Sequence, residues 1–208
     1  YGLGSNDAGG ALVCLLMVFK SFYSSKLPFN LCFVASAEEE ISGKNGIALA
    51  INHLPDISLA IVGEPTEMKL AVAEKGLIVL DCVMHGEAGH AARKNGKNAI
   101  ELVLDDLQFL KNYRFDKVSE TLGEVNLSVT QINAGSQHNV IPDRCEFVVD
   151  VRTTDAYTNE EVVQIIDDAV TADVTPRSTR LQPSGIPVDH PLVTTAGKLN
   201  IETFGSPT

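Results

Sequence analysis

Three consecutive glutamates, Glu38-Glu39-Glu40, follow directly on the apolar run Leu31 to Ala35, within the stretch Ser36-Ala37-Glu38-Glu39-Glu40-Ile41-Ser42-Gly43. Buried like charges repel, and each is costly to desolvate unless a cation compensates it. Two readings survive: a solvated acidic turn, or a site at the carboxyl end of a buried strand, where ligands sit in open α/β sheets. In an extended segment successive side chains point to opposite faces. Glu39 and Glu40 can then divide the work, one holding a metal while the other handles a proton.

The flanking segments favour the site. A glycine-rich turn, Gly2 to Gly10, precedes a run from Ala11 to Phe22 whose apolar positions predict a mostly buried helix. Asp7 sits in that turn, where a simple N-cap is the ordinary reading. A phosphate loop is excluded, because neither the Gly-Lys-Ser/Thr ending nor GxGxxG is present. Asn30 to Ala35 reads as strand, Lys44 to His53 as helix and Ser58 to Val62 as strand, an alternation that predicts a parallel sheet. The second strand runs into Gly63-Glu64-Pro65-Thr66, which puts Glu64 in the same kind of position as Glu40. Asp7, Glu40 and Glu64 are thus expected to converge at one sheet edge. A pair of divalent metals about 4 Å apart, bridged by one carboxylate, supplies the positive charge such a cluster needs.

Beyond Glu67 the pattern changes. Leu77 to His85 reads as strand, Asn98 to Leu110 as helix, Val125 to Ile132 and Cys145 to Val151 as strands, Glu160 to Val170 as an amphipathic helix and Arg177 to Leu181 as a last strand. That βαββαβ order predicts a small α+β unit on an antiparallel sheet. From Pro187 onward the residues read as a loop and helix, expected to re-enter the first domain. A formal charge of −11 argues against nucleic acid and anionic membranes as partners. Cys14, Cys32, Cys82 and Cys145 are widely spread, mostly within apolar runs, which fits buried reduced thiols and an intracellular, cytoplasmic setting. The apolar run Ala11 to Phe19 is far short of the ~20 residues a membrane span needs, and no signal-peptide pattern is present.

Gly4-Ser5-Asn6-Asp7-Ala8-Gly9-Gly10, Ala37-Glu38-Glu39-Glu40-Ile41-Ser42-Gly43 and Val62-Gly63-Glu64-Pro65-Thr66 together resemble the di-zinc amidohydrolase family of acetylornithine deacetylase, succinyl-diaminopimelate desuccinylase, aminoacylase and glutamate carboxypeptidase. The resemblance implies an α/β, zinc-peptidase-like catalytic domain, incomplete here, over 1–74 and 185–208. It implies an inserted ferredoxin-like lid or dimerisation domain over 75–184. It also implies two divalent ions, zinc or alternatively cobalt, bridged by Asp7, with Glu40 and Glu64 as further ligands and Glu39 as general base. Glu38 stands where the family usually has Asp, and Gly9 where it often has Lys. A cis peptide is implied between Asp7 and Ala8.

In the lid, Gly86-Glu87-Ala88-Gly89-His90-Ala91-Ala92 resembles the motif whose histidine stabilises the oxyanion and, in dimeric members, reaches across from the partner subunit. The bland reading of His90 is a turn histidine, and it is preferred for His85; His53, His138 and His190 are read as surface or loop residues. Gly135-Ser136-Gln137-His138-Asn139-Val140-Ile141-Pro142-Asp143 and Asp150-Val151-Arg152 resemble two further lid motifs. From them Arg152 is expected to grip a substrate carboxylate with Asn139 as a polar contact beside it.

The activity implied is metal-assisted hydrolysis of the amide bond of an N-acyl amino acid by a homodimer. The motifs, with Phe204-Gly205-Ser206-Pro207-Thr208, look most like the acetylornithine deacetylase type of arginine biosynthesis. Succinyl-diaminopimelate desuccinylase or a related acyl-amino-acid hydrolase or carboxypeptidase is the alternative. A rival of another class is a non-catalytic metal-binding or dimerisation module, whose signature would be loss of the base or the bridging carboxylate; both are present. The family's metal site also uses two histidines, and none of the five here occupies a matching position. The expectation is therefore an internal fragment that binds zinc poorly by itself.

Overall fold

The computed structural model describes residues 2–41, 43–93 and 95–206. Ser42 of the acidic motif and Pro207 and Thr208 of the closing motif lie outside the described residues. The chain divides into two units, 1–68 and 69–208.

In the first unit a wide turn, Ser5–Gly9, leads into α1 (Gly10–Phe22), followed by the short helix α2 (Ile47–Ala50) and one 3₁₀ turn, Ile51–His53. The predicted helix over 44–53 is thus present but shorter. Gly4 holds φ +76° at the turn, and Gly9 donates its N–H to the Gly4 carbonyl at 2.9 Å. A side chain at Gly9 would overlap that carbonyl.

The two strands expected at Asn30 to Ala35 and Ser58 to Val62 do not form; neither segment has a ladder partner. A parallel strand needs neighbours to take up its N–H and C=O groups and helices to cover both faces. One full-length helix and two candidate strands cannot supply these within 1–68. For the same reason α1 has no buried residue, against expectation. Val13, Met17 and Val18 on the helix, and Ile61 and Val62 before the Gly-Glu-Pro motif, are all more than half exposed. The packing that exists is local: Phe19 lies against Phe33, with ring centroids 6.0 Å apart, and Gly63 passes close to Ala11 and Leu15.

The second unit has a different character. In order it comprises β1 (Leu70–Glu74), β2 (Gly76–His85), β3 (Gly89–His90), α3 (Ala99–Asn112), β4 (Asn126–Ala134), β5 (Val140–Ile141), β6 (Arg144–Thr153), α4 (Asn159–Ala169), β7 (Asp173–Pro176), β8 (Ser184–Gly185), α5 (Pro191–Lys198) and β9 (Thr203–Ser206). β2, α3, β4, β6, α4 and β7 realise the predicted βαββαβ order, and their strands form an antiparallel sheet in the order β4-β6-β2-β7. The last strand is Asp173–Pro176, ahead of the expected Arg177 to Leu181. There the chain makes only a single bridge, Leu181 to Leu77.

Alternation along β2 and β6 sends Ile78, Leu80, Cys82 and Met84, and Cys145, Phe147, Val149 and Val151, to one face. Val103 and Leu110 of α3 and Val162 and Ile166 of α4 complete the core, each such side chain contributing ~1.5–3 kcal/mol on burial. Burial pushes the Cys82 thiol up to about 12. All four cysteines are free, but only Cys82 and Cys145 are buried; Cys14 and Cys32 are exposed, because their unit has no core to receive them.

The opposite face carries ion pairs and a histidine–carboxylate hydrogen bond. Arg177 grips Asp81 through two 2.8 Å hydrogen bonds, His85 meets Asp173 at 3.1 Å, and Arg144 pairs with Glu146. Both long helices start on side-chain caps: Asn98 accepts from the Ile100 N–H, and Thr158 and Glu161 form a reciprocal capping box. β1 pairs in parallel with β9 and antiparallel with β8, which is why 185–206 groups with the second unit.

Candidate active site

The candidate residues fall into two sets, one on each unit. In the first unit, Asp7 occupies the wide turn at φ −111°, ψ 100°, and the Asp7–Ala8 peptide bond is cis, as the family resemblance implies. Asp7, Glu39, Glu40 and Glu64 are all exposed, whereas Glu38 is half-buried. Three carboxylates are a donor set of the right kind for divalent ions. Among the described residues, however, no three His, Cys, Asp or Glu side chains are gathered closely enough to hold one. Convergence of Asp7, Glu40 and Glu64 depended on the parallel sheet, and that sheet is not formed.

In the second unit the geometry is well defined. After β2 the chain turns at Gly86, whose N–H donates to the Asp143 carbonyl at 2.8 Å. β3 then pairs with β5, setting His90 opposite Val140, and Ala91 donates its N–H to the Asn139 carbonyl at 3.0 Å. Two motifs some fifty residues apart in sequence are thereby stitched together, and His90 and Asn139 share one end of the lid. His90 accepts the Ala92 N–H at Nδ1, at 3.1 Å. A neutral ring so engaged carries its proton on Nε2, making that nitrogen a hydrogen-bond donor. Beside this ladder lies a shallow hollow of about 430 Å³, with Ala91, Gln137, His138 and Val140 among its lining residues.

Arg152 is elsewhere. It lies at the far end of β6, opposite Leu77 of β2 and Asn126 of β4, while the β3–β5 ladder joins the other end, where Arg144 faces His85. The eight steps along the strand from Arg144 to Arg152 span roughly 27 Å. The expectation that Asn139 stands beside Arg152 is therefore corrected: within one chain Asn139 neighbours His90. The sequence gap of only thirteen residues hid this, because a fully extended strand separates the two. Arg152 donates from Nε and Nη2 to the two carboxylate oxygens of Asp150, at 2.8 and 3.1 Å, with both side chains about a quarter exposed.

Sequence reasoning overlooked two buried polar groups of the lid. Asp106 on α3 accepts N–H groups from Thr171 and Ala172 at 2.9 to 3.1 Å. Asn159 accepts from the Thr153 hydroxyl at 2.6 Å and donates to the carbonyls of Thr179 and Leu181. An Asp at an otherwise apolar helix position was the available signal for the first; the second resembles any helix-start Asn. No helix among the described residues is long and apolar enough to cross a membrane.

Residues 72–176 match the model of a peptidase dimerisation domain. Among curated proteins, the chain is 27% identical to succinyl-diaminopimelate desuccinylase of Rickettsia akari over 183 residues, covering 82% of this chain and 48% of that protein. With the enzyme of the same name from Rickettsia typhi the identity is 28% over 180 residues, covering 80% and 47%. The chain thus spans about half the length of the curated relatives it matches. Among solved structures, a tripeptidase of Staphylococcus aureus shares the fold with a TM-score of 0.53 at 18% identity, covering 66% of this chain and 39% of that one. An aminopeptidase of Bacillus cereus does so with a TM-score of 0.51 at 15% identity, covering 67% and 40%. With its dimerisation domain matched over half the chain, on the strand and helix order found in the lid, the chain belongs to the M20 peptidase family.

Proposed function

We propose that this chain carries the general base and the lid of a metal-dependent hydrolase that cleaves the amide bond of an N-acyl amino acid and works as a homodimer. Residues 1–74 and 185–208 belong to its catalytic domain and 75–184 to its lid. Asp7, Glu40 and Glu64 would supply carboxylate donors for two divalent ions, zinc in this reading, and such ions would polarise the scissile carbonyl and acidify the attacking water. Glu39 takes the proton of that water and delivers it to the departing amine. His90 donates from Nε2 to the developing oxyanion, an interaction worth roughly 3 kcal/mol in a transition state. Arg152 grips the substrate carboxylate.

The observation that carries the homodimer is the separation of His90 and Asn139 from Arg152 by the length of β6. An acyl amino acid is far shorter than ~27 Å of strand. One site therefore takes Arg152 from one copy and His90 with Asn139 from another. The surface that suits a second copy is β4, a nine-residue edge strand with Val129 and Ile132 exposed, beside the exposed Ile100 and Leu104 of α3. A long uncovered edge invites strand pairing.

The motifs favour N-acetylornithine as substrate. A second reading, succinyl-diaminopimelate, is favoured by the names of the relatives that match four-fifths of this chain. In both, the substrate is an acyl derivative of a diamino acid. The test is hydrolysis of the two compounds side by side by the complete reading frame loaded with zinc. A preference of tenfold or more in kcat/KM, ~1.4 kcal/mol in transition-state binding, decides between them. Failure on both, with zinc bound, would contradict the proposal.

A further inference from the structure

Glu38, the first of the three glutamates, has a geometry that neither base nor ligand requires. It holds φ +59°, in the left-handed region that long side chains rarely adopt. Such a conformation persists only where its surroundings enforce it. Here its carboxylate accepts two hydrogen bonds from one residue: Oε2 from the Asn45 main-chain N–H at 3.0 Å and Oε1 from the Asn45 Nδ2 at 3.1 Å. Its carbonyl accepts the Gly43 N–H at 2.9 Å, closing the same loop through the backbone. Gly43 lies so close beneath the Glu38 side chain that a Cβ there would overlap it, and a Cβ on Gly46 would overlap the Ala37 carbonyl. The loop is thus built around the Glu38 carboxylate, while the side chains of Glu39 and Glu40 remain exposed.

We propose that Glu38 is a positioning residue: by clamping Asn45 it closes the 38–46 loop and fixes the directions in which Glu39 and Glu40 leave it. The proposal rests on the reading of Glu39 as base and Glu40 as metal ligand. It also explains how three adjacent carboxylates coexist. Two N–H groups of Asn45 occupy the first, which takes no part in binding the ion. A base displaced by about 1 Å loses roughly a hundredfold in rate, so a clamp of this kind acts on turnover as well as on folding.

The experiment uses the complete reading frame with Glu38→Ala, Glu38→Gln, Asn45→Ala and, in parallel, Glu39→Gln. For Glu38→Ala we expect faster amide exchange at Asn45 in the metal-free protein and zinc binding at least ~10-fold weaker. The kcat at saturating zinc should fall roughly 10- to 100-fold. Glu38→Gln keeps the length and one acceptor oxygen, and the Asn45 amide can turn over to accept from the new NH₂. It should stay within about threefold of wild type in all three measurements. Asn45→Ala retains the main-chain donor and should fall between the two; it carries the test if Glu38→Ala does not accumulate. A folded Glu38→Ala with faster exchange but wild-type zinc affinity and kcat would overturn the proposal, because the clamp would then be structural only. Glu38→Gln as damaging as Glu38→Ala would also overturn it, since charge and not the clamp would matter. Full activity in Glu39→Gln would bring down the reading of the acidic motif and the clamp with it. An inactive Glu39→Gln beside an unaffected Glu38→Ala would overturn the clamp alone.

Discussion

Ala91 donates its main-chain N–H to the Asn139 carbonyl at 3.0 Å, and one residue further on Ala92 donates to Nδ1 of His90 at 3.1 Å. A two-rung ladder between β3 and β5 thus joins the two lid motifs, while the local Ala92 N–H makes Nδ1 of His90 an acceptor. Neutral His90 is expected to carry its proton on Nε2. Ring ¹⁵N chemical shifts of the neutral imidazole check this; a dominant Nδ1–H form would remove the oxyanion role assigned to it.

Arg152 and Asp150 share two hydrogen bonds across the same strand face. If the guanidinium fork grips a substrate carboxylate, Arg152→Lys should raise KM several-fold more for acyl amino acids than for the corresponding decarboxylated amides, because only the former offer a planar anion. Equal effects on both substrates would make the pair a strut of the sheet.

Asp106 is buried and holds the two N–H groups that open the turn into β7. Asp106→Ala leaves both donors unpaired and should cost about 2–4 kcal/mol of lid stability. Thermal unfolding checks it, and a loss below ~0.5 kcal/mol would show that water replaces the carboxylate without penalty.

Glu161 lies below the usual glutamate range because its carboxylate accepts the Thr158 N–H in the capping box. A depressed folded-state value means that its contribution is present above the unfolded value of ~4.3 and is lost as pH falls through the folded value. Glu161→Gln keeps the cap but cannot titrate. The wild-type Tm should therefore fall more steeply than the variant's on acidification below about pH 4.5. Parallel Tm curves would show that the cap is not linked to protonation.

The lid was legible in the sequence almost element by element. Alternation in Leu77 to His85 and Cys145 to Val151, and the 3.6-residue pattern in the helix beginning after Asn98, reflect a core that the lid closes on its own. Arg177 to Leu181 misled because its residues suit a strand while the ladder on β2 is already taken by Asp173–Pro176. The motif strands of the first unit read as buried, yet Ile61 and Val62 are exposed, because apolarity states that a segment wants cover without saying which segment supplies it. The identities of Asp7, Glu40 and Glu64 could be read; their meeting could not, since it is a property of a sheet. The separation of Asn139 from Arg152 was equally hidden, since a thirteen-residue gap is short as a loop and long as a strand.

The most direct test of the shared site is complementation between two inactive variants of the complete reading frame. His90→Ala and Glu39→Gln, each nearly inactive alone, are mixed, dissociated and allowed to reassociate at random. A hybrid dimer has one site that pairs an intact Glu39 from one copy with an intact His90 from the other. With His90 acting across the dimer, activity should return to about one quarter of wild type, because half the dimers are hybrids and each has one working site. If His90 acts within its own chain, no site in any hybrid holds both residues. A mixture no more active than its two components would then contradict the account.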